Sequence, residues 1–312
     1  MKTAVSLFSG CGGSDAGLHA AGFDILMAND IIPYARDTYL ENLPETDYKL
    51  EDIKKIEHFP ESDLLVGCYP CQGFSQGGAR VADKKVNYLY KEFARALNYI
   101  KPKAFIVENV SGMLRKTFTH LLNDQIKIFT DAGYNVEYQL LNAADFGVAQ
   151  NRKRIFIVGI RKDFGMKFEF PKPTYGNDNL AFNTIKEALS GLPDWPEEEE
   201  YYNEGFHWYY MSRNRRQNWD DLSRTIVSSA RHMPLHPISP KMEKVQDDEW
   251  CFVNSKPARR FSYREAACLQ GFDKNIIFPE TESATLGNKY KVIGNAVPPA
   301  LFEVVARALP CF

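Results

Sequence analysis

Six short runs, residues 3–8, 23–28, 63–67, 104–107, 136–141 and 155–160, are rich in β-forming residues, and helical spacing recurs between them. Leu89, Phe93, Leu97 and Ile100 form one apolar stripe at helical period, and a second helical pattern reaches Leu18 before Gly22 ends it. The last three runs read as buried strands. Strands separated by helices build βαβ units, so an α/β fold with a mostly parallel sheet is expected. A chain of 312 residues has room for such a domain and a smaller companion.

The texture changes near residue 170. Pro171, Pro173, Pro193 and Pro196 interrupt the pattern, and the acidic run 197–200 reads as a solvated loop. Residues 180–280 mix aromatics, arginines and short apolar pieces, as in a smaller irregular domain. Residues 298–309 turn helical again, with Leu301, Val304, Val305 and Ala308 on one side. No run of 18 apolar residues exists to span a membrane, and the N-terminus lacks a signal-peptide pattern. A cytoplasmic protein is expected, and its six cysteines are not a disulfide framework. The formal charge of −2 excludes a uniformly basic surface but not a local basic face for nucleic acid.

The first run ends in Ser9-Gly10-Cys11-Gly12-Gly13, with Gly17 beyond. A strand, a glycine-rich turn and a helix form a nucleotide-binding arrangement, because small residues let backbone approach the ligand. The register is neither G-x-G-x-x-G nor that of a phosphate loop. Asp30 ends the second run, where a carboxylate accepts from ribose hydroxyls. Asp52-Ile53 lies where a carboxylate meets an adenine amino group. A tight turn with two surface acids is the plainer alternative.

Cys68-Tyr69-Pro70-Cys71 has the spacing of half a zinc site, a redox pair, or a nucleophile beside an unrelated neighbour. No second C-x-x-C or paired histidine accompanies it, and no metal site is expected. Glu108-Asn109-Val110, ending the next strand, offers an acid/base group to a lone nucleophile.

Five segments occur in one order: Phe8-Ser9-Gly10-Cys11-Gly12-Gly13, Pro70-Cys71-Gln72, Glu108-Asn109-Val110, Gln150-Asn151-Arg152-Lys153-Arg154 and Gly294-Asn295-Ala296-Val297-Pro298. Together they closely resemble the motifs of the DNA (cytosine-5)-methyltransferases, as does Leu269-Gln270-Gly271-Phe272. The resemblance covers nearly the whole chain. Cys68-Tyr69 departs from the Gly-Pro or Gly-Phe common in relatives, and Asp30 stands where glutamate is common.

The resemblance implies a Rossmann-like S-adenosylmethionine-dependent domain, discontinuous because Asn295 must return to the first turn. Its expected bounds are 1–175 with 280–312, leaving 176–279 for target recognition. It assigns Cys71 as nucleophile on carbon-6 of cytosine and Glu108 as the acid at N3. Arg152, Arg154 and Asn109 belong to the same pocket. Cofactor contacts fall to Phe8, Ser9, Gly10, Gly12, Gly13, Asp30, Ile31, Asp52, Ile53, Pro70, Leu89, Asn295, Ala296 and Val297. The base must leave the duplex to be reached, so the loop 73–85 is expected to close over it, with Gln72, Ser75, Gln76 and Arg80 at the DNA.

Between residues 206 and 232 stand five arginines (213, 215, 216, 224 and 231) against two acids, Asp220 and Asp221, with Trp208, Tyr209, Tyr210 and Trp219 interleaved. Arginine suits bidentate contact with guanine. Arg213, Arg215, Arg231 and His232 are candidates for base edges and Arg216 for phosphate. Met211-Ser212-Arg213-Asn214-Arg215 with Leu235-His236-Pro237 resembles the subgroup that methylates GGCC. Double-stranded DNA is the expected partner, with a cognate restriction endonuclease on the same site and the enzyme acting as a monomer. The alternatives are a tRNA-directed relative and an inactive DNA-binding regulator.

Overall fold

The structure, a computed structural model, describes residues 2–70 and 85–312. Strand β1 (Lys2–Leu7) feeds through residues 8–12 into helix α1 (Gly13–Ala20). β2 (Phe23–Asp30), α2 (Pro33–Asn42), β3 (Asp47–Leu50) and β4 (Leu64–Gly67) follow. Then come α3 (Tyr90–Ile100), β5 (Ala104–Val110), α4 (Thr119–Asp131), β6 (Tyr134–Asn142) and β7 (Lys153–Arg161). These seven strands form one sheet in the order β3-β2-β1-β4-β5-β7-β6. β1 to β5 run parallel to one another, whereas β7 runs antiparallel to both β5 and β6. A parallel return needs a crossover of a dozen residues or more, usually a helix. Between β6 and β7 the chain has only a short 3-10 turn, Ala143–Phe146, so β7 doubles back.

Both faces of the sheet are buried along its inner strands β1, β4, β5 and β7, which are therefore largely apolar, whereas the edge strands β3 and β6 are partly exposed and more polar. Leu7, Leu65, Val107 and Ile157 pack with Phe93 of α3 and Phe129 of α4 on one face. Ala4, Val66, Ile106 and Val158 face the other way, toward Leu18 of α1 and the last helix. Burying each such side chain contributes roughly 1.5–3 kcal/mol.

The second half contains a single-turn helix α5 (Ile185–Ala188), a hairpin of β8 (Met242–Gln246) and β9 (Glu249–Phe252), and helices α6 (Tyr263–Gln270), α7 (Leu286–Asn295) and α8 (Pro299–Arg307). Helix α8 lies on α1, and two glycines let it approach. A Cβ at Gly13 would come 2.3 Å from the Val297 carbonyl, and one at Gly17 would come 2.4 Å from that of Pro299. The return of the C-terminal segment to the first turn is therefore built into the glycine spacing of α1.

Residues on both sides of the expected boundary at 279/280 pack together. Leu269 of α6 and Ile293 of α7 share one apolar cluster with Tyr34 and Ala35 of α2 and with Ile185, Ile226 and Met233. The irregular region is joined to the sheet domain by a continuous core. No helix among the described residues is long and apolar enough to cross a membrane.

Candidate active site

The carboxyl ends of β1, β4 and β5 and the start of the antiparallel β7 meet at one end of the sheet. There Glu108 and Arg154 come together. Glu108 pairs with Phe156 across the β5–β7 ladder, and Arg154 precedes Phe156 by two residues, so the two side chains share a face as diagonal neighbours. The Arg154 Nε lies 2.9 Å from Glu108 Oε1. Glu108 is buried, and this burial pushes its carboxyl above the usual range, while Arg154 and then Arg152 pull it back. A carboxyl so placed is held in one orientation and keeps its proton to higher pH than an exposed glutamate.

Asn109 points to the opposite face. Its Oδ1 accepts from the Val110 N–H (2.8 Å), and its Nδ2 donates to the Tyr69 carbonyl (3.4 Å). Asn109 thus holds the backbone that leads through Pro70, which is exposed, to Cys71. Cys71, Gln72, Ser75, Gln76 and Arg80, with most of the loop 73–85, lie outside the described residues. Cys68 packs against the apolar face that carries Val66 and Ile106. Burial pushes its thiol well up, and Glu108 and Asp15 push it further, which makes Cys68 a poor thiolate.

Arg152 is placed differently from Arg154. It is buried, donating through Nη1 to the Ile226 carbonyl (3.1 Å) and through Nη2 to those of Gly294 and Ala296 (2.9 Å each). Gln150 accepts from the Ile226 N–H (3.0 Å) and donates to the Leu269 carbonyl (3.0 Å) and Gln270 Oε1 (2.8 Å). Gln270 in turn donates to the Ala296 carbonyl (2.5 Å). Arg152, expected in the catalytic pocket, acts here as a clamp. It ties the start of β7 to the chain at Ile226 and to residues 294–296. Gln150 and Gln270 complete this clamp and were not expected as site residues, although both fall inside the quoted motifs.

The glycine turn is strained and braced. Phe8 has φ of 60°, a left-handed conformation rare outside glycine, and its ring meets Tyr69 edge-on at 5.9 Å. Ser9 Oγ donates to the Ser6 carbonyl (2.9 Å) and accepts from the Asn29 N–H (3.2 Å). Gly12, at φ 88°, then turns the chain into α1. Ala296 and Val297 are buried against Gly13 and back this turn, while Asn295 is exposed beside it.

Asp30 accepts from the N–H groups of Gly10 (3.0 Å), Ile31 (2.7 Å) and Ile32 (3.1 Å). Burial raises its carboxyl, and those N–H groups oppose the rise. Ile31 beside it is 66% exposed, an apolar wall at the mouth of the turn. A Cβ on Gly10 would meet nothing within 4 Å, so this side is open. Asp52 caps a short turn by accepting from the Lys54 N–H (3.1 Å), and Ile53 and Leu89 pack into the same apolar cluster. An open turn, an acceptor for hydroxyls and an apolar wall fit an adenosyl group.

The recognition candidates divide. Arg213 and Arg231 are exposed. Arg215 is half-buried, with Nε on the Tyr210 carbonyl (2.8 Å) and its guanidinium 4.5 Å from the Tyr210 ring. Arg216 donates to the carbonyls of Ser239 (2.8 Å) and Pro237 (2.9 Å) and to Asn218 Oδ1 (2.6 Å), so its expected phosphate role competes with three internal bonds. His232 is half-buried, its imidazole held neutral by burial and by Arg215. Among the described residues no group of three or more His, Cys, Asp or Glu side chains is placed to hold a metal ion.

Comparison with known proteins accounts for this geometry. The model of the C-5 cytosine-specific DNA methylases matches residues 2–311. The chain is 37% identical to the type II methyltransferase M.BsuRI of Bacillus subtilis, over 98% of this chain and 78% of that one. It is 39% identical to M.NgoPII of Neisseria gonorrhoeae, over 98% and 94%. The fold resembles that of the Entamoeba histolytica methyltransferase EhMeth, with a TM-score of 0.72 at 17% identity, covering 97% and 96% of the two chains. The chain belongs to the C-5 cytosine-specific DNA methylases and is an S-adenosylmethionine-dependent DNA methyltransferase of the restriction-modification type.

Proposed function

We propose that this enzyme methylates one cytosine within a short palindromic duplex site, GGCC or a related sequence, through a transient covalent bond from Cys71. The observation that carries the reading is the buried Glu108–Arg154 pair at 2.9 Å, at the sheet end from which the Cys71 loop departs.

Carbon-5 of cytosine is a poor nucleophile while the ring is aromatic. Attack of the Cys71 thiolate on carbon-6 forms an S–C bond and moves electron density onto carbon-5 and N3. Glu108, its proton favoured by burial, meets the charge at N3, and Arg154 fixes the carboxyl for that contact. S-adenosylmethionine supplies the methyl group that carbon-5 takes. Loss of the carbon-5 proton and departure of the Cys71 sulfur as thiolate restore the ring. Asn109, through the Tyr69 carbonyl, sets where the Cys71 loop starts.

A base stacked in a duplex is out of reach of Cys71, so the cytosine is flipped outward, with Gln76 and Arg80 filling the space it leaves. The arginines of the recognition region read guanine-rich edges, and the segment around Arg213 supports GGCC. The enzyme works as a cytoplasmic monomer, one strand at a time, protecting its site from a cognate endonuclease. Bisulfite sequencing of plasmid from a methylation-free host expressing the chain tests this. One protected cytosine in a single palindrome is expected, absent with Cys71→Ser. No protected cytosine, or protection that survives Cys71→Ser, contradicts it.

A further inference from the structure

Trp208 is 80% exposed, more than any other large apolar side chain among the described residues. A lone exposed tryptophan needs no explanation. This one stands on a built platform. Residues 207–210 form a tight turn in which the N–H groups of Tyr210 (2.9 Å) and Met211 (3.1 Å) donate to the His207 carbonyl. Tyr210 is buried, its hydroxyl on the Met233 carbonyl at 2.7 Å. Tyr209 meets the indole edge-on at 5.8 Å and stacks parallel to His207, with His232 against its edge. The guanidinium groups of Arg213 and Arg215 lie 5.6 and 5.8 Å from the Tyr209 ring.

The surroundings are cationic. Among the described residues Arg213, Arg215, Arg224, Arg231 and Arg260 have no carboxylate partner. Arg260, buried, is held by the carbonyls of Arg231, Tyr202 and Glu204, with the rings of Phe206 and Tyr210 at 4.6 and 4.5 Å. This patch adjoins the catalytic end: the chain that carries Ile226, bonded to Arg152 and Gln150, runs on through Arg231 and His232 to the edge of Tyr209. A rigidly supported indole beside exposed arginines fits a duplex groove, where the ring packs on base edges while the arginines meet phosphates and guanines.

We propose that Trp208 contacts bases of the duplex DNA directly, as an aromatic anchor beside Arg213 and Arg231. This rests on duplex DNA being the substrate. The full-length enzyme is assayed on a duplex carrying the site mapped by bisulfite sequencing. For Trp208→Ala the expected result is a KM for DNA raised about tenfold, the loss of one interface aromatic anchor. The kcat stays within about twofold, the melting temperature does not change, and the dependence of binding on salt keeps its slope because no phosphate contact is lost. Trp208→Phe keeps the ring and restores KM to within about threefold. Unchanged KM and site preference in Trp208→Ala overturn the inference while leaving the methylation reading intact. If the wild-type enzyme methylates no duplex cytosine, both fall.

Discussion

The sheet domain and the irregular region hold their backbones together by different means. In the first, a seven-stranded ladder pairs the strand backbones, and apolar side chains fill both faces of its inner strands. In the second, one two-stranded hairpin is the only sheet, and arginines take over the carbonyls. Arg215, Arg216, Arg224, Arg259 and Arg260 all donate to main-chain oxygens of their own region. Buried carbonyls must be paired, and a five-donor guanidinium can close several at once. An arginine-rich stretch in such a region therefore includes scaffold arginines, and only the structure separates the exposed Arg213 and Arg231 from Arg216 and Arg260, which are held by carbonyls.

The sharpest break of this comparison lies in the sheet domain. Glu108→Gln keeps the shape and removes the acid, so kcat is expected to fall about 10²–10⁴-fold, with DNA and S-adenosylmethionine affinities nearly unchanged. Stopped-flow or initial-rate measurements check this, and a loss confined to KM goes against the role. Next in size is Arg152→Met, which takes the guanidinium bonds from the carbonyls of Ile226, Gly294 and Ala296, the last of which keeps Gln270 as a donor. A stability loss of about 3–5 kcal/mol is expected, read as a lower denaturant midpoint, whereas Arg154→Met lowers turnover with a smaller stability change.

Asp15 gives a pH test within the sheet domain. It is fully buried beneath the glycine turn, accepts from Ser6 (2.6 Å) and Ser14 (3.0 Å), and burial raises its carboxyl to about 6. The native state then holds a proton that the unfolded chain has lost. Its contribution is fully present below the usual carboxylate range and is lost as pH rises through about 6. Asp15→Asn cannot titrate, so its melting temperature relative to wild type is expected to rise from pH 4 to pH 7.5, by the equivalent of about 3 kcal/mol. Parallel curves contradict the assignment.

The smallest effects sharpen the division among arginines. Arg213→Ala and Arg231→Ala are expected to cost about 1–3 kcal/mol of discrimination between the target and single-base variants, with no change in melting temperature. Arg216→Ala is expected to lower the melting temperature first and leave discrimination nearly intact. Methylation of a panel of duplexes, with calorimetry on the same variants, decides between them.

Much of the sheet domain is readable from the sequence, because strands buried on both faces leave apolar runs and the glycine turn leaves its own mark. The reversal of β7 is not, since run composition does not carry direction; only the lack of a helix between residues 142 and 153 hints at it. The strand β3 escaped notice because Asp47–Leu50 is polar and half exposed at the sheet edge. The motifs brought Glu108, Arg154 and the glycine turn to one site, yet they did not reveal that Arg152 faces carbonyls and Asn109 the Tyr69 backbone. Those roles depend on which segments pack nearby, and that is decided by residues far away in the chain.

The most direct test of the mechanism is mass spectrometry of the enzyme after reaction with a duplex whose target cytosine carries fluorine at carbon-5. Fluorine cannot leave as the carbon-5 proton does, so the adduct persists. The account predicts the nucleotide on the peptide containing Cys71, at the Cys71 sulfur. An adduct on Cys68, or none with a duplex whose unfluorinated form is methylated, contradicts it.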